Sequence, residues 1–281
     1  LVAGDVDQGK GNKYDEIFFE KYADMLSHSC HYTAIGNHDG YYDKAKTYLD
    51  AFYLPENGEE GSLERYYSFT WGDAKFICLD SNYGRGVPKG EGVQSNAQKE
   101  WLEQELKCND KKWVFIYFHH PAYTVAWTGD YYLPIGFFKY KGSYKMQEDW
   151  MQLFDKYDVD FVLTGHSHCY QRGEYKGTQF VLSGGAGTSD DVKGSFFHGI
   201  DRIHVKKDST GKRIKRKIRR TPEDSVYIAG KKVEEFYNIP SIFPTVDILI
   251  RQSNFIRFDV KKDTVTFTAF NEKGQIIDTQ S

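Results

Sequence analysis

Hydrophobic positions recur with a helical period in several segments of the first two-thirds of the chain, and short apolar runs typical of buried strands separate these segments. The helical segments are residues 14–28, 44–52, 96–107 and 144–157. The strand-like runs are residues 31–35, 112–118, 159–164 and 178–183, with two more strands on either side of a Gly72–Asp73 turn. Ser95 followed by Gln98 predicts a capping box at the start of the helix over 96–107. Alternating helices and strands indicate an α/β layered domain with a mixed sheet.

The hydrophobic pattern changes after residue 205. Residues 206–220 are strongly basic, and residues 221–245 are irregular and rich in proline. The last segment, 246–281, reads as successive antiparallel strands with turns at Lys262–Asp263 and Lys273–Gly274. We therefore expect one domain over 1–281, with an insertion at 206–245 and with 246–281 forming strands of a second sheet. The basic run is interpreted as a solvated hairpin, with a polyanionic ligand as the alternative.

Composition narrows the class of protein. The chain has 281 residues, of which 40% are hydrophobic and 27% charged, and its formal net charge is −3. These values are ordinary for a globular domain and argue against a general nucleic-acid binder. No apolar run is long enough to cross a bilayer, so no specific membrane partner is evident. The four cysteines form neither a CxxC pair nor a dense framework; Cys78 fits a core position, and one disulfide is allowed.

Four polar clusters each follow an apolar, strand-like run. They are Gly4-Asp5, Gly36-Asn37-His38-Asp39, His119-His120-Pro121 and Gly165-His166-Ser167-His168. Loops beyond the carboxyl ends of strands in an α/β sheet converge on one point, where ligands bind. Aspartate, asparagine and histidine are hard or borderline metal ligands, and these clusters contain no thiolate. Each cluster alone is typical of an ordinary turn or strand end, but together and in this order they predict a metal site.

The predicted ligand types suit a two-metal hydrolytic centre, in which one carboxylate bridges two ions about 3.5–4 Å apart. Water held between two such ions loses a proton near neutral pH, and both ions neutralise charge on a phosphate ester during in-line attack. A nearby imidazole can then protonate the leaving group. The sequence therefore predicts a hydrolase of small phosphorylated substrates that uses metal ions and no organic cofactor.

The order GD, GNHD, HHP and GHSH resembles the calcineurin-like metallophosphoesterase superfamily, and GHSHCYQR is similar to the GHxHxYxR signature of purple-acid-phosphatase-like enzymes. The resemblance implies a four-layer αββα sandwich with two mixed β-sheets. It also implies two divalent or trivalent ions, with zinc, manganese or iron as candidates. The implied ligands are Asp5 as the bridging carboxylate, Asn37, His119 and His166 on one metal, and His168 on the other. His120 is left without a role, because the family's ligand lies two positions before the proline.

The same resemblance implies the catalytic residues, and the positions of three other residues make them substrate-binding candidates. His38 and Asp39 are the implied catalytic residues, with His38 stabilising the transition state or protonating the leaving group. Tyr41 and Tyr123 follow two of the loops and are candidates to stack on a substrate, although packing of the loops is the favoured explanation. Arg172 either braces the GHSH loop or reaches the substrate.

Two positions depart from the family pattern. The family has an earlier Asp-x-His or Asp-x-Gly motif that this sequence lacks. Because the chain opens on Leu1 in mid-strand, either the motif lies upstream of a fragment, or the metal held by His168 lacks a ligand and the site is defective. Purple enzymes carry tyrosine three positions after the aspartate, where this chain has Gln8, so the tyrosinate–iron colour is not expected; Asp7 is interpreted as a turn residue. The favoured activity is an acid-phosphatase-like phosphomonoesterase. The alternatives are a phosphodiesterase acting on nucleotides or phospholipid head groups, and a non-catalytic binding protein on the same scaffold. Oligomeric state stays open, and the resemblance slightly favours an extracytoplasmic location.

Overall fold

A mixed sheet of eight strands forms the centre of the described part of the protein. The computed structural model describes residues 1–6, 13–124, 131–133, 136–138, 143–186, 202–207, 213–218, 226–228, 248–250 and 253–281. The described strands are β1 (Tyr67–Trp71), β2 (Ala74–Cys78), β3 (Trp113–Phe118), β4 (Tyr131–Leu133), β5 (Gly136–Phe138), β6 (Phe161–Thr164), β7 (Tyr170–Tyr175), β8 (Thr178–Ser183), β9 (Arg202–Lys207), β10 (Arg213–Ile218), β11 (Val226–Ile228), β12 (Ile248–Ile250), β13 (Asn254–Val260), β14 (Val265–Asn271) and β15 (Ile276–Gln280). The described α-helices are α1 (Ala23–His28), α2 (Asn37–Tyr41), α3 (Lys46–Ala51), α4 (Asn96–Lys107), α5 (Tyr144–Asp149) and α6 (Met151–Lys156).

The topology of the large sheet brings several strand ends to one edge. Its strand order is β1-β2-β3-β6-β8-β7-β12-β11, and β2, β3, β6 and β8 run parallel. The carboxyl ends of β3 and β6 are level, because Phe118 pairs with Thr164. The residues that follow them are also bonded, since the Gly165 amide donates to the His119 carbonyl at 3.0 Å. The parallel register therefore places the HHP and GHSH loops side by side.

The two faces of the large sheet bury different partners. Side chains alternate across β3, so Ile116 lies in a core with Trp101 of α4 and Trp150 and Phe154 at α6, whereas Phe115 points to the opposite face. There Phe115 packs against β13–β15, a three-stranded antiparallel sheet. The layers in the described residues are thus helices, large mixed sheet and second sheet. The predicted mixed α/β fold with two packed sheets is confirmed, and the described second sheet is antiparallel.

The second sheet is held to the first by aromatic rings. Phe161 of the large sheet lies 5.5 Å from Phe258 and 6.3 Å from Phe267, measured between ring centroids, and Phe115 lies 5.5 Å from Phe258. The rings meet edge to face, an arrangement that favours aromatic pairs beyond simple burial of area. The high aromatic content of the chain is therefore partly used in the layer between the sheets.

Helix α4 has the predicted bounds and half of the predicted capping box. The Ser95 hydroxyl accepts from the Gln98 amide at 3.1 Å, as a cap requires. The Gln98 side chain does not return to Ser95; its oxygen accepts from the Asp80 amide at 2.7 Å and its nitrogen donates to the carbonyls of Asp80 and Gly92. Gln98 is completely buried, so its amide satisfies the loop after β2 instead of the helix terminus.

The segment 14–28, predicted as one helix, contains a π-helical turn at Asp15–Phe19 followed by α1. The Glu20 amide donates to the Asp15 carbonyl at 2.8 Å, which inserts one extra residue in the turn. The extra residue lets the adjacent rings of Phe18 and Phe19 both pack on Phe52, at 5.5 and 5.3 Å. Segment 144–157 is likewise divided, into α5 and α6.

The strand predicted over 31–35 is wrong. Among the described residues, this segment makes only one isolated parallel bridge, between Val2 and Thr33. The partner segment is short because Gly4 and Asp5 turn away with φ values of 85° and 54°. A strand also exists where none was predicted, β7, which lies between β8 and β12.

Strand β10 lies within the basic run and pairs antiparallel with β9, with Lys207 opposite Arg213, but most of β9 precedes the run, so the hairpin begins earlier than the prediction had it. Strand β11 falls inside the predicted insertion, yet it pairs with β12 at the edge of the large sheet. The division of the chain at 206–245 stays a prediction. Cys78 is completely buried as expected, and all four cysteines are free thiols. Within the described residues, no helix combines the length and the hydropathy that a membrane span requires.

Candidate metal centre

The first two polar clusters meet through backbone contacts. The Asp5 carboxylate accepts from the His38 amide at 2.8 Å, which joins the loop after Ala3 to the first turn of α2. Gly36 has to be glycine, because a Cβ there would collide with the Asp5 amide and carboxylate. Gly4 has a φ of +85°, and a Cβ on it would lie 2.6 Å from Nδ1 of His119. The glycines that precede the ligands thus permit a close approach of the loops.

Two of the predicted ligands have left-handed backbone conformations. Asp5 has a φ of 54° and His166 a φ of 63°. Aspartate and histidine tolerate this region better than most residues, but it remains unfavourable for any residue with a Cβ. Such conformations persist where the surrounding structure requires them, and they cluster at functional sites. The strain therefore coincides with the two loop turns that aim these side chains at the centre.

Nε2 of His119 lies at the middle of the predicted ligand set. It is 3.0 Å from Oδ2 of Asp5, 3.0 Å from Oδ1 of Asn37 and 3.1 Å from Nδ1 of His166. The other ring nitrogen, Nδ1, lies 2.7 Å from the Ala3 carbonyl oxygen. A carbonyl oxygen only accepts, so Nδ1 carries the proton and Nε2 of the neutral ring presents a lone pair.

The arrangement around His119 places lone-pair atoms from four residues against one another. Asp5, Asn37, His119 and His166 come from four separate loops, and the side chains of Asp5 and His119 are 8% and 1% exposed. Lone pairs at such distances in a buried site repel unless a proton or a metal ion lies among them. The donor types and their convergence therefore fit a metal ion, and the four predicted ligands of one metal are brought together.

Charge interactions within the cluster favour a cation beside Asp5. Burial raises the pKa of Asp5, but the charge of His119, its hydrogen bond and the nearby His38 outweigh burial and lower the pKa to about 2. Burial lowers the pKa of His119, yet the Asp5 carboxylate more than compensates and raises it, so a metal ion bound at Nε2 would displace a proton. Burial and the other imidazoles hold the pKa of His166 well below its usual range. The carboxylate is thus ionised and His166 neutral, the states that bind metal.

The predicted ligand of the second metal lies near this group. His168 is half-buried, and its charge would lower the pKa of His166, as would that of His38. The three nitrogens that approach one another within 4.8 Å belong to His119, His120 and His166. The structure therefore brings His168 to the neighbourhood of the centre, and it adds His120, which the sequence prediction left without a role.

Asp39 is fully buried, and its carboxylate accepts hydrogen bonds from three segments of the chain. Its carboxylate accepts from the Gly36 amide at 2.8 Å, from the Val6 amide at 3.4 Å and from the Tyr14 hydroxyl at 3.0 Å. These bonds fix the loop that carries Asn37. The contacts therefore favour a positioning role over the predicted catalytic one.

Arg172 and Tyr123 are occupied elsewhere in the fold. Nε of Arg172 donates to Asp278 of β15 at 2.7 Å, so the guanidinium connects the two sheets. The Tyr123 ring packs against Tyr175 and Phe180, at centroid distances of 6.2 and 6.3 Å. These contacts favour structural roles for both residues, and their substrate roles stay predictions.

The exposed position of Tyr41 is compatible with its predicted stacking on a substrate. Its side chain is 52% exposed and its ring lies 6.0 Å from that of His38. Asp7 and Gln8, on which the departure from the purple enzymes rests, lie outside the described residues.

Comparisons with known proteins identify the family. The sequence profile of the family described as calcineurin-like phosphoesterase matches residues 1–170. An uncharacterized protein of Mycobacterium tuberculosis is 29% identical over 157 residues, which cover 50% of this chain and 26% of that protein. A purple acid phosphatase of Glycine max is 28% identical over 151 residues, covering 50% of this chain and 28% of the relative. The Fe(3+)-Zn(2+) purple acid phosphatase 12 of Arabidopsis thaliana is 26% identical, with the same coverage.

The fold likeness extends over the whole chain. A solved structure of a purple acid phosphatase from yellow lupin seeds superposes with a TM-score of 0.63 at 17% identity, covering 99% of this chain and 45% of that one. At this identity the likeness shows the fold. The matches to the curated relatives named above span 26–28% of the relatives' own length.

Proposed function

Because the chain belongs to the calcineurin-like phosphoesterase family, we propose that it hydrolyses phosphate esters at a two-metal centre, as a phosphomonoesterase similar to purple acid phosphatases. The observation that carries the proposal is the set of lone-pair atoms from Asp5, Asn37 and His166 around Nε2 of His119, at 3.0–3.1 Å. A metal ion among these atoms would accept their lone pairs, and carboxylate, amide and imidazole donors suit such an ion.

The ligand roles follow from these contacts. Asp5 has one carboxylate oxygen beside His119 and the other on the His38 amide, at the junction of the first two loops. Asn37, His119 and His166 would hold one ion together with Asp5, and His168, near His166, would hold the second. Zinc, manganese and iron suit these oxygen and imidazole donors. The Arabidopsis relative is named as an enzyme of iron and zinc, which supports these two metals as candidates.

When bound, the ions would supply an activated water and neutralise charge on the phosphate. Side chains of the protein would supply the proton donor, the positioning of the loop and the contact with the substrate. His38 is the second residue of α2, and its backbone amide donates to the Asp5 carboxylate; its imidazole would give a proton to the leaving-group oxygen. Asp39 fixes the loop that carries His38, and the exposed Tyr41 ring, 6.0 Å from that of His38, would contact the organic group of the ester.

The central test replaces Asp5 with alanine and measures metal content and turnover of a panel of phosphomonoesters and phosphodiesters. We expect metal content and turnover to fall together, with His28→Ala, an exposed histidine on α1, as the unaffected control. Unchanged metal content in Asp5→Ala would refute the site. A diester preference in the wild-type chain would identify a phosphodiesterase, and metal binding without turnover of any ester would identify a binding protein.

His38→Ala separates catalysis from metal binding. We expect metal content to be retained and turnover to fall by about 10²–10⁴-fold, the usual contribution of general acid catalysis. Loss of metal in this variant would show that His38 is a ligand.

A further inference from the structure

His120 lies beside the ligands assigned above and has no part in the proposed mechanism. Its side chain is 2% exposed, and its ring centroid lies 4.5 Å from that of His166 and 4.9 Å from that of His119. The rings of His119 and His166 are themselves 4.9 Å apart. Three imidazoles thus form a closed group in which every ring contacts the other two.

Ser81 holds the His120 ring from the outside. The Ser81 hydroxyl oxygen accepts from the His120 amide at 2.9 Å and lies 3.0 Å from Nδ1 of the same residue. Because the oxygen has two lone pairs, it can accept the Nδ1 proton as well as the amide proton. In that tautomer Nε2 presents a lone pair, which is the arrangement found when histidine binds metal and donates its other N–H to a neighbouring group.

The position of Ser81 is itself fixed by a buried polar network. Asp80 accepts from the amide and the side chain of Asn82, both at 2.9 Å, so the residues on either side of Ser81 are tied together. Asp80 also pairs with Arg65 at 3.2 Å, and the Asp80 amide donates to Gln98. Ser81 is completely buried at the end of β2, next to the end of β3. A serine held so firmly defines the direction of the imidazole bonded to it.

We propose that His120 is an additional metal ligand, oriented by Ser81, which binds the same ion as His119 and His166. One ligand nitrogen from each of the three residues lies within 4.8 Å of the other two. Two nitrogens at tetrahedral positions on one zinc ion, each about 2.0–2.1 Å away, lie about 3.4 Å apart. The most widely separated pair therefore has to close by at most about 1.4 Å, shared between two side chains, to place all three nitrogens on one ion. His120 is a ligand in this proposal and Ser81 is a positioning residue.

The proposal rests on the proposed metal centre, and its test separates the two. Zn²⁺ affinity of the full 281-residue chain is measured by competition with a chromophoric chelator, for the wild type and for His120→Ala, Ser81→Ala, Asp5→Ala and the exposed control His28→Ala. We expect His120→Ala to weaken the tighter site by 100-fold or more, and Ser81→Ala by about 10–100-fold, the usual effect of removing a partner of a metal-bound histidine.

X-ray absorption at one equivalent of Zn²⁺ gives a second readout, which does not depend on turnover. We expect three imidazoles around zinc in the wild type and in Ser81→Ala, and two in His120→Ala. Wild-type affinity in His120→Ala would overturn the role of His120, whereas wild-type affinity in Asp5→Ala would overturn the metal centre itself. If circular dichroism shows that His120→Ala is unfolded, the wild-type imidazole count decides, and a count of two refutes the proposal.

Discussion

The bond between Arg172 and Asp278 gives a prediction that separates a structural role from a substrate role. Oδ2 of Asp278 lies 2.7 Å from Nε of Arg172 and 2.6 Å from the Tyr170 hydroxyl, so one carboxylate oxygen joins β7 of the large sheet to β15 of the second sheet. The side chains of Arg172 and Asp278 are 11% and 8% exposed. Removing one partner of such a buried pair leaves an uncompensated charge, which costs about 3–5 kcal/mol.

We therefore expect Arg172→Met to lower the free energy of unfolding by about 3–5 kcal/mol. The triple variant Tyr170→Phe/Arg172→Met/Asp278→Leu should recover most of this loss, because replacing the partners of a buried pair with apolar groups is often neutral and no Tyr170 hydroxyl is left without the Asp278 acceptor. Urea denaturation followed by tryptophan fluorescence measures these free energies. The matched control is Lys112→Met, which removes an ion pair with Asp263 that also links the second sheet but is 45% and 75% exposed; here we expect a change below about 1 kcal/mol.

The kinetic arm of the same experiment tests the substrate role. If Arg172 only connects the sheets, KM for a phosphomonoester should be unchanged in the folded Arg172→Met variant at low temperature. A rise in KM of tenfold or more with an unchanged free energy of unfolding would refute the reasoning and return Arg172 to the substrate site.

Two more substitutions test the site and the core. Gly36→Ala should greatly weaken metal binding measured by chelator competition, because its Cβ would collide with Asp5. The control Gly86→Ala, whose Cβ would meet its nearest neighbour at 3.5 Å, should bind metal as the wild type does. Equal affinities of the two variants would contradict the close approach of the loops. Phe267→Ala, at a side chain that is 1% exposed between the sheets, should lower the free energy of unfolding by about 3–5 kcal/mol in urea denaturation, and a loss below about 1 kcal/mol would show that the sheets are not packed through this ring.

The elements that the sequence predicted well are those whose signals are local. Helix α4 has both a serine cap and an apolar face, and its bounds agree with the prediction. The ligand loops were predictable for a similar reason, because each apolar run ends at a polar cluster and the parallel register of β3 and β6 then brings such ends together. The order of the clusters along the chain added the resemblance to the family, and the matching family profile confirms that the chain belongs to it.

The features that were missed depend on tertiary contacts. Strand β7 contains Gln171, Arg172 and Glu174, so no apolar pattern marks it, and it is a strand because β8 and β12 pair with it on either side. A sequence does not distinguish an aspartate that positions a loop from one that takes part in a reaction. The hydrogen bonds that Asp39 accepts from Val6, Tyr14 and Gly36 show that it fixes the loop carrying Asn37.

The sequence prediction left His120 without a role because the family's ligand lies two positions before the proline. That rule does not show that the His120 ring contacts those of His119 and His166, which depends on the turn after β3. The polar triplet Asp80-Ser81-Asn82 after β2 was the available signal, since it ends a strand at the same edge of the sheet.

The contacts of His119 have a consequence for the order of events when the protein is made. Its ring reaches the Ala3 carbonyl across 116 positions of the chain and Asn37 across 82, so the cation pocket does not exist until segments far apart in the sequence have come together. Contacts of such long range are slow to form. Ion capture should therefore follow folding, after which a free ion at 1,000 times its dissociation constant would add about 4 kcal/mol to the native state. Newly synthesised chains should accordingly be more susceptible to proteolysis in the presence of a chelator than with the ion supplied.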